Sequence, residues 1–288
     1  NFFVGFTDVY VAGFISPEVQ AAVGYITQIY FIVIIVANAI SIGALAIISR
    51  AIGAGDRIKA VAAAKQSLIL GLIISILFTA VCLAFYRPMI TLAGFPAEIR
   101  EIAENFLIIF SFALGPNYLL IISIAVFRAG AEVKKPLTTM FVLSVVNIAL
   151  DFFLVLGIPP FPEIGYRGIA IATVAATLLG TVISLIFLGS SRTWRAVYTN
   201  PWTFSWGMIK MIFNIGWPAA FLQIAWNLAS LVLYGILGQL KGSSIVALAA
   251  IANGLRIEAV IYLPAFALNM AASVIVGQNL GAGRPDRA

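Results

Sequence analysis

Apolar residues along this chain come in long runs, and polar residues come in short clusters between them. Residues 19–49 carry no charged side chain, and neither do 66–86, 105–127, 168–191, 211–240 or 259–283. At ~1.5 Å per residue, each run is long enough as a helix to cross a hydrocarbon layer ~30 Å thick. Two more spans are expected, one near 137–157 that contains Asp151 and one at 1–15 that contains Asp8. The predicted order is 1–15, 22–49, 64–86, 100–128, 137–157, 168–190, 207–238 and 245–277, eight helices with the first incomplete. Strands of a membrane barrel would alternate over ~10 residues, whereas these runs are longer and apolar all round.

Composition sharpens the assignment. Hydrophobic residues make up 62% of the 288 and charged residues 10%, against about 25% charged in an ordinary soluble domain. The expected fold class is therefore an all-α polytopic membrane protein. Histidine is absent and Cys82 is the sole cysteine, which removes His-containing triads, His-based zinc sites and a disulfide framework from this stretch. No signal peptide is legible. The chain opens at Asn1-Phe2-Phe3-Val4-Gly5, already apolar, so its natural start is expected upstream.

The net charge of +6 belongs to the loops rather than to a nucleic-acid surface. One side holds Arg50, Arg57, Lys59, Lys65, Arg128, Lys134, Lys135, Arg192, Arg195, Lys210, Arg284 and Arg287; the other holds Arg87, Arg100, Arg167 and Lys241, diluted by Glu18, Glu98, Glu101, Glu104 and Glu163. By the positive-inside rule, the loops after helices 2, 4, 6 and 8 face the cytoplasm. Trp194, Trp202 and Trp206 cluster between helices 6 and 7 and are read as interfacial anchors. The break from Ser190 to Gly207 divides a first lobe at 1–190 from a linker at 191–206 and the start of a second lobe at 207–288.

A repeat supports that division. Residues 44–60 and 272–288 align at a fixed offset, with Gly53-Ala54-Gly55 over Gly281-Ala282-Gly283; upstream, Ala21-Ala22-Val23-Gly24 falls over Ala249-Ala250-Ile251-Ala252. Helices 1–2 thus correspond to helices 7–8, as in two six-helix halves related by an axis along the membrane normal. On that plan the chain stops after helix 8 of an expected twelve. The glycine-rich turns lack the Gly-Lys-Ser/Thr ending of a phosphate loop, so energy is expected from an ion gradient.

Four ionisable residues fall within spans: Asp8, Asp151, Arg256 and Glu258. A carboxylate at a helix centre costs ~2.5–3.5 kcal/mol on insertion scales, so such groups are functional or paired by default. Asn147 and Asp151 are four apart and share a helix face. The amide can donate to an ionised carboxyl or accept from a protonated one. Asp8, if close, would titrate with Asp151 as a pair; the bland alternative is that both aspartates only glue helices together. Arg256 and Glu258, two apart, do not face each other on a regular helix. Asn38, Asn117, Thr173, Gln223, Asn227 and Glu258 are candidates for lining a cavity, although interhelical hydrogen bonding is the commoner use of such residues. Pro116, Pro218 and Pro264 are expected to kink their helices.

Three segments carry a family resemblance: Phe6-Thr7-Asp8-Val9-Tyr10-Val11-Ala12-Gly13; Asn147-Ile148-Ala149-Leu150-Asp151 followed by Gly165-Tyr166-Arg167-Gly168 and Thr173; and Val276-Gly277-Gln278-Asn279-Leu280-Gly281-Ala282-Gly283. In this order and spacing the chain resembles the multidrug and toxic compound extrusion (MATE) transporters. The resemblance implies twelve helices in two lobes. It also implies export of organic cations and amphipathic drugs by H+- or Na+-coupled antiport in the cell membrane. It maps a cation site onto Asp8, Asn147 and Asp151, with Na+ as the metal they would take. No other cofactor is expected, a lipid bilayer is the setting, no nucleic acid partner is implied, and the protein is expected to be a monomer and not an enzyme. Two alternatives stay open: a related flippase for lipid-linked saccharides, whose cavity would be strongly basic, and an intramembrane enzyme, which would need paired aspartates for magnesium-bound diphosphate.

Overall fold

The computed structural model describes residues 2–92, 97–201, 204–238 and 244–288, with some side chains inside the helices also outside the description. The described residues form nine helices: α1 (Phe2–Ile15), α2 (Pro17–Gly53), α3 (Arg57–Leu92), α4 (Ala97–Ala129), α5 (Lys134–Leu156), α6 (Tyr166–Ser190), α7 (Ala196–Thr199), α8 (Trp206–Gly238) and α9 (Ser244–Gly281). Six of them, α2 to α6 and α8, are long and apolar enough to cross a membrane. The eight expected helices are all present, and α7 is a short addition inside the linker.

Two boundaries differ from the sequence reading. The gap expected between helices 1 and 2 shrinks to Ser16, whose Oγ accepts from the Val19 N–H at 3.2 Å while Pro17 opens α2. A hydroxyl N-cap followed by proline is a strong start signal, and Glu18 in the first turn adds to it by facing the positive end of the helix dipole. The third helix runs past Arg87 to Leu92 across Pro88, and Phe85 leaves helical geometry at φ −120°, ψ 19°. Proline removes the hydrogen bond to the preceding turn, so the helix bends there and continues.

Burial follows the inverted logic of a membrane protein. On α5, Leu137, Phe141 and Val145 are exposed at four-residue spacing, while Thr139, Leu143, Asn147, Asp151 and Leu154 are buried on the opposite face. The polar residues thus turn inward and the apolar ones outward, as lipid demands. The buried face of α5 meets α6 closely. A Cβ at Gly168 would crowd Leu154, and one at Gly180 would crowd Leu143. These two contacts bracket Asn147 and Asp151 on α5 and Thr173 on α6. Hydroxyls tie α6 to α4: Ser123 and Ser184 Oγ lie 2.6 Å apart, and Thr181 Oγ1 donates to the Pro116 carbonyl at 2.6 Å. The latter joins α6 to α4 at Pro116, which α4 holds without a break.

The linker is not a loose amphipathic connector. Trp194, expected to be an interfacial anchor, is fully buried together with Val197 in the apolar cluster that holds Ala60, Ala64, Phe127 and Leu188. Gly130 provides the room, since a Cβ there would strike the indole. Lys65, expected among solvated loop cations, is 4% exposed, and its Nζ donates to the carbonyls of Asn200 at 2.6 Å and Pro201 at 3.2 Å. Ser191 Oγ donates to the Glu132 carboxylate at 2.9 Å, and Glu132 pairs with Lys135. Trp206 is 69% exposed and stacks on Phe204, as an anchor would; Trp202 lies outside the described residues.

Candidate functional site

Helices α1, α5 and α6 converge on one polar cluster. Asp8 on α1 is buried, and Asn147 and Asp151 on α5 are completely so. Thr173 on α6 bridges them: Asn147 Nδ2 donates to Thr173 Oγ1 at 3.3 Å, and Thr173 Oγ1 donates to Asp8 Oδ2 at 3.2 Å. The Asp151 carboxyl lies close enough to Asp8 for the two to interact electrostatically. Around this polar knot, Val11 and Ala12 of α1 pack with Val155, Ile169 and Ala170, so the cluster sits in an apolar wall.

The cluster is rich in acceptors and poor in donors. Asp8 Oδ1, both carboxyl oxygens of Asp151 and Asn147 Oδ1 are buried, and no described residue donates a hydrogen bond to them. Two carboxylates sharing a dry site repel each other, and burying either without a counter-charge is costly. A proton shared between them, or a small cation held by their oxygens, removes both costs. Sodium would find hard oxygen donors in Asp8, Asp151 and the Asn147 amide carbonyl.

The structure therefore brings together Asp8, Asn147, Asp151 and Thr173. The other candidate residues lie apart from this cluster. Asn117 is buried and donates from Nδ2 to the Tyr30 hydroxyl at 2.9 Å, which is helix-packing use rather than cavity lining. Asn227 donates to the Gln223 backbone carbonyl one turn earlier on α8 at 2.8 Å, a bond within its own helix. Asn38 is half-buried in α2, and Glu258 is exposed on α9. The side chain of Arg256 lies outside the described residues. Sequence reasoning undervalued Thr173, because one hydroxyl in an apolar helix gives no signal of what lies across the interface.

Fold and cluster together define a multi-pass helical membrane protein with a buried acidic site in its first six helices. The MatE family model matches residues 1–153 and 218–288, and the chain belongs to that family. The probable multidrug resistance protein NorM of Thermotoga maritima is 29% identical over 98% of this chain and 60% of its own length. A protein named FAD transporter from Shewanella oneidensis is 25% identical over 98% of this chain and 62% of its own. The crystal structure of MATE in the bent conformation superposes with a TM-score of 0.91 at 21% identity, over 99% of this chain and 62% of the other; it shares the fold. The chain thus spans about three-fifths of the relatives it matches.

Proposed function

We propose that the full-length protein is a secondary antiporter that exports organic cations and other amphipathic small molecules by alternating access. Asp8, Asn147, Asp151 and Thr173 bind the coupling ion, H+ or Na+. One observation carries the reading: two carboxyls are buried together inside the helical bundle, with a threonine and an amide arranged around them and no described donor for most of their oxygens. Loading that site neutralises it, and unloading restores the repulsion, so occupancy can bias how α1 packs on α5 and α6.

In this reading, residues 1–190 form the N-terminal lobe, 191–206 the linker and 207–288 the start of the second lobe, with the segments that follow α2, α4, α6 and α9 in the cytoplasm. The protein works as a transporter rather than an enzyme in this reading, because Asp8 and Asp151 stand as single aspartates on separate helices, packed among Val11, Ala12, Val155, Ile169 and Ala170. The relatives differ in the cargo their names state, multidrug in one and FAD in another. An acidic site favours the cationic class here.

Everted vesicles carrying the full-length protein test this. Uptake of a fluorescent organic cation is followed under an imposed proton gradient, then under a sodium gradient, with FAD as a competing cargo. Gradient-driven uptake that Asp8→Asn and Asp151→Asn each abolish at unchanged protein level is the expected result. Uptake indifferent to both substitutions reduces the aspartates to packing residues. Uptake of FAD alone moves the cargo to the anionic class.

A further inference from the structure

The turn after α2, the start of α3, the end of α4 and the linker meet around a pocket of about 330 Å³. That lies at the small end of the range for small-molecule sites. Gly55, Arg57, Val61, Gly130, Thr193 and Trp194 are among its walls. The pocket stands on the basic side of the molecule, and no residue of the Asp8–Asp151 cluster lines it.

The polar side chains of this wall are donors. Arg57 is exposed and forms no ion pair among the described residues. Thr193, half-buried, adds a hydroxyl. Trp194 is fully buried, and no described residue accepts from its Nε1. A Cβ on Gly130 would lie 3.2 Å from that nitrogen, and Gly130 is itself part of the wall, which sets the N–H edge of the indole beside the opening. A buried indole N–H ordinarily finds an acceptor, and leaving it without one is costly.

The neighbouring acceptors are already engaged. Asp56 Oδ1 accepts from the Lys59 N–H at 2.9 Å, and Glu132 accepts from Ser191 and pairs with Lys135. At the end of α2, Ile52 O accepts from Gly55 N–H; at the end of α4, Ala129 O accepts from Gln278 Nε2. Arg128, Arg192 and Arg195, all exposed, adjoin the wall along the chain. A fixed positive charge, a hydroxyl and an unused N–H together suit a compact anion with several acceptor oxygens. Phosphate answers that description, and a guanidinium can take two of its oxygens at once. At a membrane face such a group comes either from an anionic lipid headgroup or from a soluble phosphate.

We propose that this pocket binds a phosphate-bearing anion, held by the Arg57 guanidinium, the Thr193 hydroxyl and the Trp194 indole N–H. The bound anion ties the linker to the turn between α2 and α3. The site goes beyond the transport reading and stands without it, because none of its groups belongs to the Asp8 cluster.

The test uses the purified, delipidated full-length protein in detergent. Its melting temperature is followed against inorganic phosphate and, separately, against a short-chain phosphatidylglycerol, at constant ionic strength and with the matching phosphatidylcholine as the lipid control. A ligand of the folded state raises the melting temperature saturably. Saturable stabilisation by at least one of the two anions is expected, with its half-saturating concentration raised several-fold by Arg57→Gln and by Trp194→Phe, which keeps an aromatic ring and removes the N–H. Lys59→Gln, at an exposed lysine outside the wall, should leave it unchanged. Stabilisation by inorganic phosphate assigns the site to a soluble anion; stabilisation by phosphatidylglycerol alone assigns it to a lipid headgroup. Absence of saturable stabilisation by either anion overturns the site. So does stabilisation that Arg57→Gln or a folded Trp194→Phe leaves unchanged, or that Lys59→Gln weakens equally. Arg57 is exposed, so the arginine variant keeps the test decisive even where the tryptophan variant fails to fold.

Discussion

Thr173 on α6 donates its single hydroxyl proton to Asp8 on α1, at 3.2 Å, while accepting from Asn147 on α5 at 3.3 Å. One side chain thus joins three helices, and the direction of its hydrogen bonds is set by what Asp8 needs. A carboxylate can only accept, and Asn147 Nδ2 can only donate, so the hydroxyl is polarised from α5 towards α1.

Thr173→Val keeps the shape and removes the bridge. The expected outcome is a shift of about tenfold or more in the half-saturating concentration of the coupling ion, downwards if that ion is H+, because the charged form of Asp8 loses a hydrogen bond worth about 1.5–3 kcal/mol. Thr173→Ser should restore most of the parent value. Titration of uptake against pH or sodium at saturating organic cation checks this; an unchanged titration would mean that the hydroxyl serves packing alone.

Asp151→Asn should separate stability from activity. The substitution removes a buried charge that no described residue donates to, so the melting temperature of the purified full-length protein should hold or rise. Gradient-driven uptake should be lost at the same time. A destabilised variant would show instead that the carboxylate is satisfied in the resting state.

Trp194 and Trp206 should behave as opposites. Truncating the fully buried Trp194 to alanine should cost about 3–5 kcal/mol through the cavity it leaves, visible as a lower melting temperature and poor membrane yield. Trp206→Ala removes a side chain that is 69% exposed and should shift melting little. Equal effects would contradict the burial of the linker against α3 and α4.

Lys65→Met keeps the length of the side chain and leaves the Asn200 and Pro201 carbonyls without their ammonium donor. Faster proteolysis between 191 and 206 in the intact protein is expected, together with a loss of about 1–3 kcal/mol for the buried acceptors left behind. Cleavage at the parent rate would show that Trp194 alone fixes the linker.

Much of the fold was legible because lipid imposes a coarse, unambiguous code. Charge-free runs of spanning length give helices, and every expected helix appears. The boundaries were less legible, since they depend on Ser16 capping α2 and on α3 tolerating Pro88, which are local events rather than matters of hydropathy. Trp194 and Lys65 were misplaced for a related reason. Hydropathy assigns aromatic and basic residues near helix ends to the interface, whereas here Gly130 makes a slot for the indole and two carbonyls receive the ammonium.

By itself the sequence determined the class of protein, the placement of Asp8 and Asp151 inside spans, the shared face of Asn147 and Asp151, and the repeat between residues 44–60 and 272–288. Each of these is a one-dimensional property: length of apolar run, helical spacing, or self-similarity. Only the tertiary structure decided that α1 and α5 lay their carboxyls together, that Thr173 rather than Asn38, Asn117 or Gln223 completes the cluster, and that the two repeat segments meet at Gly53 and Gly281. Those facts depend on which helix faces touch. In a chain whose helices are apolar on nearly every side, that choice is made by close packing at small residues such as Gly168 and Gly180, not by the hydropathy pattern.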